Sequence, residues 1–151
     1  RTIHAIVATG KNLIADYTFA KDALFAQINL KGDELDMYYK VHEALAEKIV
    51  RPDLLVYLQA STDTLMQRIA LRDRPYERQM ERSYIHELNL AYDDYFSKPF
   101  DHTPVLTIDT NNLNFVQNPE HLKLMENRIR QSLNLPPFQQ TLPSPFGRGT
   151  G

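Results

Sequence analysis

The sequence predicts an α/β fold with a parallel sheet flanked by helices. Short apolar runs near residues 12–17, 54–58 and 105–109 alternate with segments of helical periodicity. Such alternation argues for parallel strands covered by helices on both faces. Right-handed crossovers then bring the loops after all three runs to one edge of the sheet, where open α/β sheets bind ligands. Those loops carry Asp16-Tyr17, Gln59-Ala60-Ser61 and Asp109-Thr110, so polar residues collect where a site is expected.

Each element has a local reason. Ile3 to Ala8 reads as the last turns of a helix, with Gly10 as its left-handed stop. Asn12 to Tyr17 reads as a short strand. From Phe19 to Leu30, Phe19, Ala23, Ala26 and Leu30 recur at helical spacing, with Leu24 and Phe25 widening the stripe. Asp33 and Glu34 open a second helix, whose apolar positions Leu35, Tyr38, Val41, Leu45 and Ile49 run on to Val50. Pro52 ends it, and the buried strand Leu54 to Leu58 follows almost at once. Ser61 or Thr62 suits the N-cap of the next helix. Glu81 to Phe96 is amphipathic, with Tyr84, Leu88, Tyr92 and Tyr95 along one side. Pro104 introduces the strand Val105 to Asp109, and Pro119 opens a last helix to Leu133 at a permitted first-turn position. The segment after Asn134 has four prolines, three glycines and little periodicity. The chain is therefore expected to be one domain over residues 1–134, followed by a disordered tail at 135–151.

Composition narrows the function classes. With 42% hydrophobic and 24% charged residues among 151, the chain has the balance of an ordinary globular domain with a real core. Seventeen basic against 19 acidic residues give a net charge of −2, which makes no case for a nucleic-acid or membrane-surface partner. No apolar run approaches the roughly 20 residues that span a bilayer. The lack of cysteine excludes disulfides, thiol catalysis and thiolate metal sites, and fits a cytoplasmic location. The five histidines are dispersed without ligand spacing, so no protein-built metal site is expected.

The stretch from Asp53 to Glu77 carries the most chemistry. Arg68 and Arg72 stand one helical turn apart, and Arg74, Tyr76 and Glu77 lie just beyond. Three guanidiniums within seven positions, at the carboxyl end of a buried strand, suit several negatively charged oxygens. Neither arginine has an acid at i+3 or i+4 on its own face. An anion-binding lid and a solvated charged helix both fit this pattern.

Four blocks together resemble the deoxynucleoside kinase family, close to the bacterial deoxyadenosine and deoxyguanosine kinases. They are ADYTFAKDALFA (15–26), PDLLVYLQASTDTLMQRIALRDRPYE (52–77), YIHELNLAYDDYF (84–96) and PVLTIDTNNLNFV (104–116). The match spans about Ile3 to Leu133 and is most specific in the second block, where strand, helix and lid arginines occur together. Members with deoxycytidine-kinase-like sites have Glu-Arg-Ser where Ala15-Asp16-Tyr17 stands here.

The resemblance implies a P-loop kinase-type fold, ATP and Mg²⁺ as cofactors, and transfer of the γ-phosphoryl to the 5′-hydroxyl of a deoxynucleoside. It places Arg68, Arg72 and Arg74 in a lid, about residues 68–82, over the phosphates. Glu77 becomes the carboxylate that holds the sugar 3′-hydroxyl. Asp16 becomes the acid near Mg²⁺, a coordinated water or the 5′ end. Tyr17 and Lys21 fall beside the substrate, and the loop from Asp109 through Asn114 and Phe115 embraces the donor adenine. A homodimer through a helix such as 33–50 is also implied.

One family feature is missing. No G-x-x-x-x-G-K-S/T occurs in the 151 residues, and Ala8-Thr9-Gly10-Lys11-Asn12 lacks the first glycine and the hydroxyl residue. The expectation is that the chain is the carboxyl-terminal two-thirds of such a kinase, with the first strand and phosphate loop upstream, and that it is inactive as it stands. The alternatives are a thymidylate-like nucleoside monophosphate kinase, which shares the fold and an arginine-rich lid, and a non-catalytic interaction module using the aromatic helix at 84–96.

Overall fold

The computed structural model describes residues 3–16, 18–98 and 102–137. In chain order it contains α1 (Ile3–Val7), α2 (Phe19–Asn29), α3 (Asp33–Ala46), β1 (Leu55–Gln59), α4 (Thr62–Arg72), a 3-10 turn (Pro75–Glu77), α5 (Arg82–Ser97), β2 (Val105–Asp109) and α6 (Pro119–Ser132). The strands pair in parallel, from Leu55 opposite Val105 to Gln59 opposite Asp109. The expected α/β class with a parallel sheet flanked by helices is thus the observed one.

Side chains alternate across β1. Leu55 and Tyr57 point to one face, where they join Leu24 of α2 and Phe96 of α5 in the hydrophobic core. The Tyr57 ring lies 4.9 Å from Phe96 and 6.3 Å from Tyr92, centroid to centroid. Val56 and Leu58 point to the other face, where Leu58 remains 45% exposed. The aromatic side of α5 is therefore mainly core, although the fully buried member is Phe96.

Alpha5 also grips the strand end with a polar face. His86 Nδ1 lies 2.9 Å from Thr62 Oγ1, Asn89 Nδ2 donates to the Ala60 carbonyl at 3.1 Å, and Asp93 Oδ1 accepts from Tyr57 Oη at 2.6 Å and Gln59 Nε2 at 2.9 Å. These three positions lie on one side of the helix because they follow i, i+3, i+7 spacing. Burial, together with the Asp93 hydrogen bond and charge, holds the Tyr57 phenol far above its ordinary range.

Two expectations need correction. The run at 12–17 is not a strand: residues 11–16 form no ladder, Ile14 is 99% exposed, and Tyr17 lies outside the described residues. Leu13 and Ile14 are adjacent and do not alternate with polar residues, so a strand there would have no single apolar face to bury. The helix expected to reach Val50 ends at Ala46, and Lys48 and Ile49 close with i→i−3 backbone bonds of 3.0 and 3.2 Å. Its stripe also faces differently. His42 stacks on Phe19 of α2 and Tyr38 lies against His42, while Met37, Val41 and Leu45 are exposed. The tail expected at 135–151 lies outside the described residues from 138 onward.

Candidate active site

The site is built where β1 and β2 end. Ser61 caps α4 by accepting the Thr64 amide at 3.2 Å, and its own amide donates to Asn111 Oδ1 at 2.8 Å. The cap therefore starts the helix and fastens it to the loop after β2. Alpha4 then carries Arg68 and Arg72 on successive turns.

Arg68 reaches into the loop after β2. Its Nη1 donates to Thr110 Oγ1 at 2.8 Å, and its Nη2 donates to the carbonyls of Thr110 and, at 3.3 Å, Leu113. Thr110, only 1% exposed, in turn donates its amide (2.8 Å) and its hydroxyl (2.9 Å) to the Gln59 carbonyl at the end of β1. No carboxylate pairs with Arg68 among the described residues. Among the described residues its positive charge is held by neutral acceptors.

Arg72 is held by a carboxylate. Alpha4 stops at Asp73, whose φ of 45° is the left-handed conformation of a C-cap. Pro75 then opens the 3-10 turn, which folds Glu77 back beneath the last turn of α4. Arg72 Nε donates to Glu77 Oε2 at 3.0 Å, and Nη2 donates to Oε1, a bidentate pair. Glu77 is 8% exposed and Arg72 48%. The neighbouring arginines go elsewhere: Arg74 donates to Tyr76 Oη at 2.9 Å and Arg78 pairs with Asp73 at 2.7 and 2.9 Å. Met66, Ile69, Ala70, Arg74 and Met80 line a shallow hollow of about 120 Å³ beside this pair.

The remaining expected residues are more dispersed. Asp16 is exposed in the connection before α2, not at a strand edge, and Tyr17 lies outside the described residues. Lys21, in the first turn of α2, places its ammonium 5.8 Å from the centre of the Phe25 ring. Asp109 Oδ1 accepts the amide and side-chain nitrogen of Asn111, both at 2.9 Å. Asn114 braces the loop, donating its amide to His121 Nδ1 at 2.9 Å and its side chain to Gln117 Oε1 at 3.0 Å. Phe115 is half-buried. The sequence marks Thr110 only as a polar residue after a buried strand, and its contact with Arg68 is visible in the structure alone. Among the described residues, no group of three acidic, histidine or cysteine side chains is placed to hold a metal ion.

Alpha4 thus presents one neutralised and one uncompensated guanidinium beside a buried carboxylate. Such a set can bind an anion and a hydroxyl side by side.

Known proteins resemble this chain over most of its length. The chain is 30% identical over 125 residues to the deoxyguanosine kinase of Bacillus subtilis (strain 168), covering 81% of this chain and 60% of the relative. It is 28% identical over 149 residues to the deoxyadenosine kinase of Dictyostelium discoideum, covering 95% of this chain and 59% of that protein. The chain therefore spans about three-fifths of the length of these curated relatives. Among solved structures, deoxyadenosine kinase from M. mycoides with bound dCTP has the same fold, with a TM-score of 0.70 at 23% identity over 85% of this chain and 71% of that one. The deoxynucleoside kinase family model matches residues 1–134, and with that match the chain belongs to the deoxynucleoside kinase family.

Proposed function

We propose that this chain is the lid-bearing part of an enzyme that transfers the γ-phosphoryl of ATP to the 5′-hydroxyl of a deoxynucleoside, with Mg²⁺ accompanying the nucleotide. The observation that carries this is the helix α4 that follows β1, whose Arg68 is bonded into the loop after the parallel strand β2 and whose Arg72, one turn on, is paired with the buried Glu77. Phosphoryl transfer asks a protein mainly for positioning and for cations matched to the equatorial oxygens. Arg68, Arg72 and Arg74 supply those cations. Glu77 accepts from the sugar 3′-hydroxyl, with Arg72 fixing the orientation of its carboxylate.

On the donor side, Asp109, Asn114 and Phe115 belong to the loop that surrounds adenine, and Arg68 and Arg72 approach the phosphates. The internal bonding of Asn114 supports a preshaped loop. On the acceptor side, Tyr17 and Lys21 border the nucleoside. Mg²⁺ arriving with the nucleotide would need only one or two protein carboxylates plus water, and the exposed Asp16 would suit that part. The names of the relatives favour a purine deoxynucleoside as acceptor.

The protein is proposed to work in the cytoplasm as a homodimer. The exposed Met37, Val41 and Leu45 of α3 support an apolar contact between copies. The 151 residues alone are proposed to be inactive, since their sequence lacks a phosphate loop to cradle the β- and γ-phosphates. The deciding experiment is phosphate transfer from ATP to deoxyadenosine and deoxyguanosine by the full-length protein. Product with thymidine monophosphate but with neither nucleoside would replace this reading by the monophosphate-kinase one.

A further inference from the structure

Among the described residues, every partner of the Arg68 guanidinium lies in a single short segment. Its three bonds go to the Thr110 hydroxyl, the Thr110 carbonyl and the Leu113 carbonyl. A guanidinium has five N–H donors, so Nε–H and one Nη1–H remain to meet an anion. The charge stays undiminished because all the acceptors are neutral. What these bonds fix is direction. An arginine stem is rich in rotamers, and confining it beforehand spares that entropy when a ligand arrives.

Within this anchor the Thr110 hydroxyl is the only side-chain group. It donates to the Gln59 carbonyl at 2.9 Å and accepts from Arg68 Nη1 at 2.8 Å. A carbonyl oxygen only accepts, so the hydroxyl hydrogen must point to Gln59 and a lone pair must face Arg68. The two bonds reinforce each other, because donating to a carbonyl makes the oxygen a better acceptor. The strand end does not depend on this oxygen, since the Thr110 amide also donates to the Gln59 carbonyl at 2.8 Å.

We propose that Thr110 is a positioning residue for phosphoryl transfer. Its hydroxyl sets Arg68 of the lid against the loop after β2, so that lid and loop engage the phosphate donor as one unit. This rests on the donor-side reading of Arg68 given above, and it adds a residue that acts through Arg68 without touching the nucleotide.

The test uses Thr110→Val, Thr110→Ser and Arg68→Ala in the full-length enzyme, with KM for ATP, KM for the deoxynucleoside and kcat measured for each. Losing one hydrogen bond to a charged group corresponds to about a tenfold effect. Thr110→Val is therefore expected to raise KM for ATP about tenfold while leaving KM for the deoxynucleoside unchanged. Thr110→Ser restores the wild-type value, and adding Thr110→Val to Arg68→Ala changes nothing further. A folded Thr110→Val enzyme with wild-type KM for ATP, a serine variant that fails to restore it, or additive losses in the double variant would each overturn the inference. If that failure comes with an impaired Arg68→Ala enzyme, the donor-side reading survives. An Arg68→Ala enzyme with normal ATP kinetics overturns both. Should the valine variant not fold, Thr110→Ala removes the same oxygen and carries the same comparison.

Discussion

Arg68 and Arg72 sit one turn apart on the same helix, yet they are held by opposite kinds of partner. Arg68 ends among carbonyls and a hydroxyl, and Arg72 ends on a carboxylate. Neutral acceptors fix a cation without spending its charge. A carboxylate fixes it and offsets much of its field, yet the same carboxylate has lone pairs enough to hold Arg72 and accept a hydroxyl together. On the function proposed above, the contrast is a division of labour: Arg68 serves as a standing anion receptor, and Arg72 aligns Glu77 for the sugar.

The sharpest way to break this contrast is kinetic. Arg72→Ala in the full-length enzyme should lower kcat roughly 10²-fold with little change in nucleoside KM, the scale for removing one preorganised donor from a transition state. Wild-type kcat in a folded Arg72→Ala enzyme would reduce Arg72 to a structural partner of Glu77.

The next test addresses Glu77. If it holds the 3′-hydroxyl, deleting that hydroxyl from the substrate and replacing Glu77 by Ala should be non-additive, with a coupling on the order of 1–3 kcal/mol. A cycle of kcat/KM values with 2′-deoxy and 2′,3′-dideoxy nucleosides measures it, and full additivity would take Glu77 out of the sugar site.

Stability offers a third comparison. Arg72→Ala leaves Glu77 buried and unpaired, whereas Arg68→Ala leaves the Thr110 carbonyl still bonded to the Leu113 amide at 3.1 Å. Thermal unfolding should show a loss of about 1–3 kcal/mol for Arg72→Ala and about 1 kcal/mol for Arg68→Ala. The reverse order would contradict the roles given to the two partners.

The smallest effect concerns the aromatic core that packs α5 against β1. Burial, with Tyr84 and Asp22 nearby, pushes the Tyr92 phenol up to about 12. A phenol whose folded value is raised contributes stability that is complete below its unfolded value near 10 and lost as pH climbs toward 12. Tyr92→Phe should flatten that part of the alkaline stability curve and leave lid kinetics unchanged. An unaltered alkaline slope would remove Tyr92 as its source.

What the sequence disclosed follows the range of the interactions. Helical spacing made α4 and its arginines legible, and Ser61 as a cap needed only its neighbours. The Arg72–Glu77 pair was hidden because it depends on a left-handed residue and a proline turn, which bring i and i+5 together outside any helical period. The Arg68–Thr110 anchor joins residues 42 positions apart, and no local pattern announces it. The run at 12–17 failed for the same reason: a strand exists only where a ladder partner stands beside it, and that is a property of the assembled sheet.

The polar face of α5 has a mechanical consequence. His86, Asn89 and Asp93 engage Thr62, Ala60 and the Tyr57–Gln59 pair. Sliding the helix along its own axis would break all these contacts together, and the next equivalent seating lies a full turn, about 5.4 Å, away. Alpha5 is thus a strut with one notch. On the proposed reading of residues 68–82 as a lid, its motion falls to the chain between Asp73 and Glu81, because the helix behind it is held in one seating.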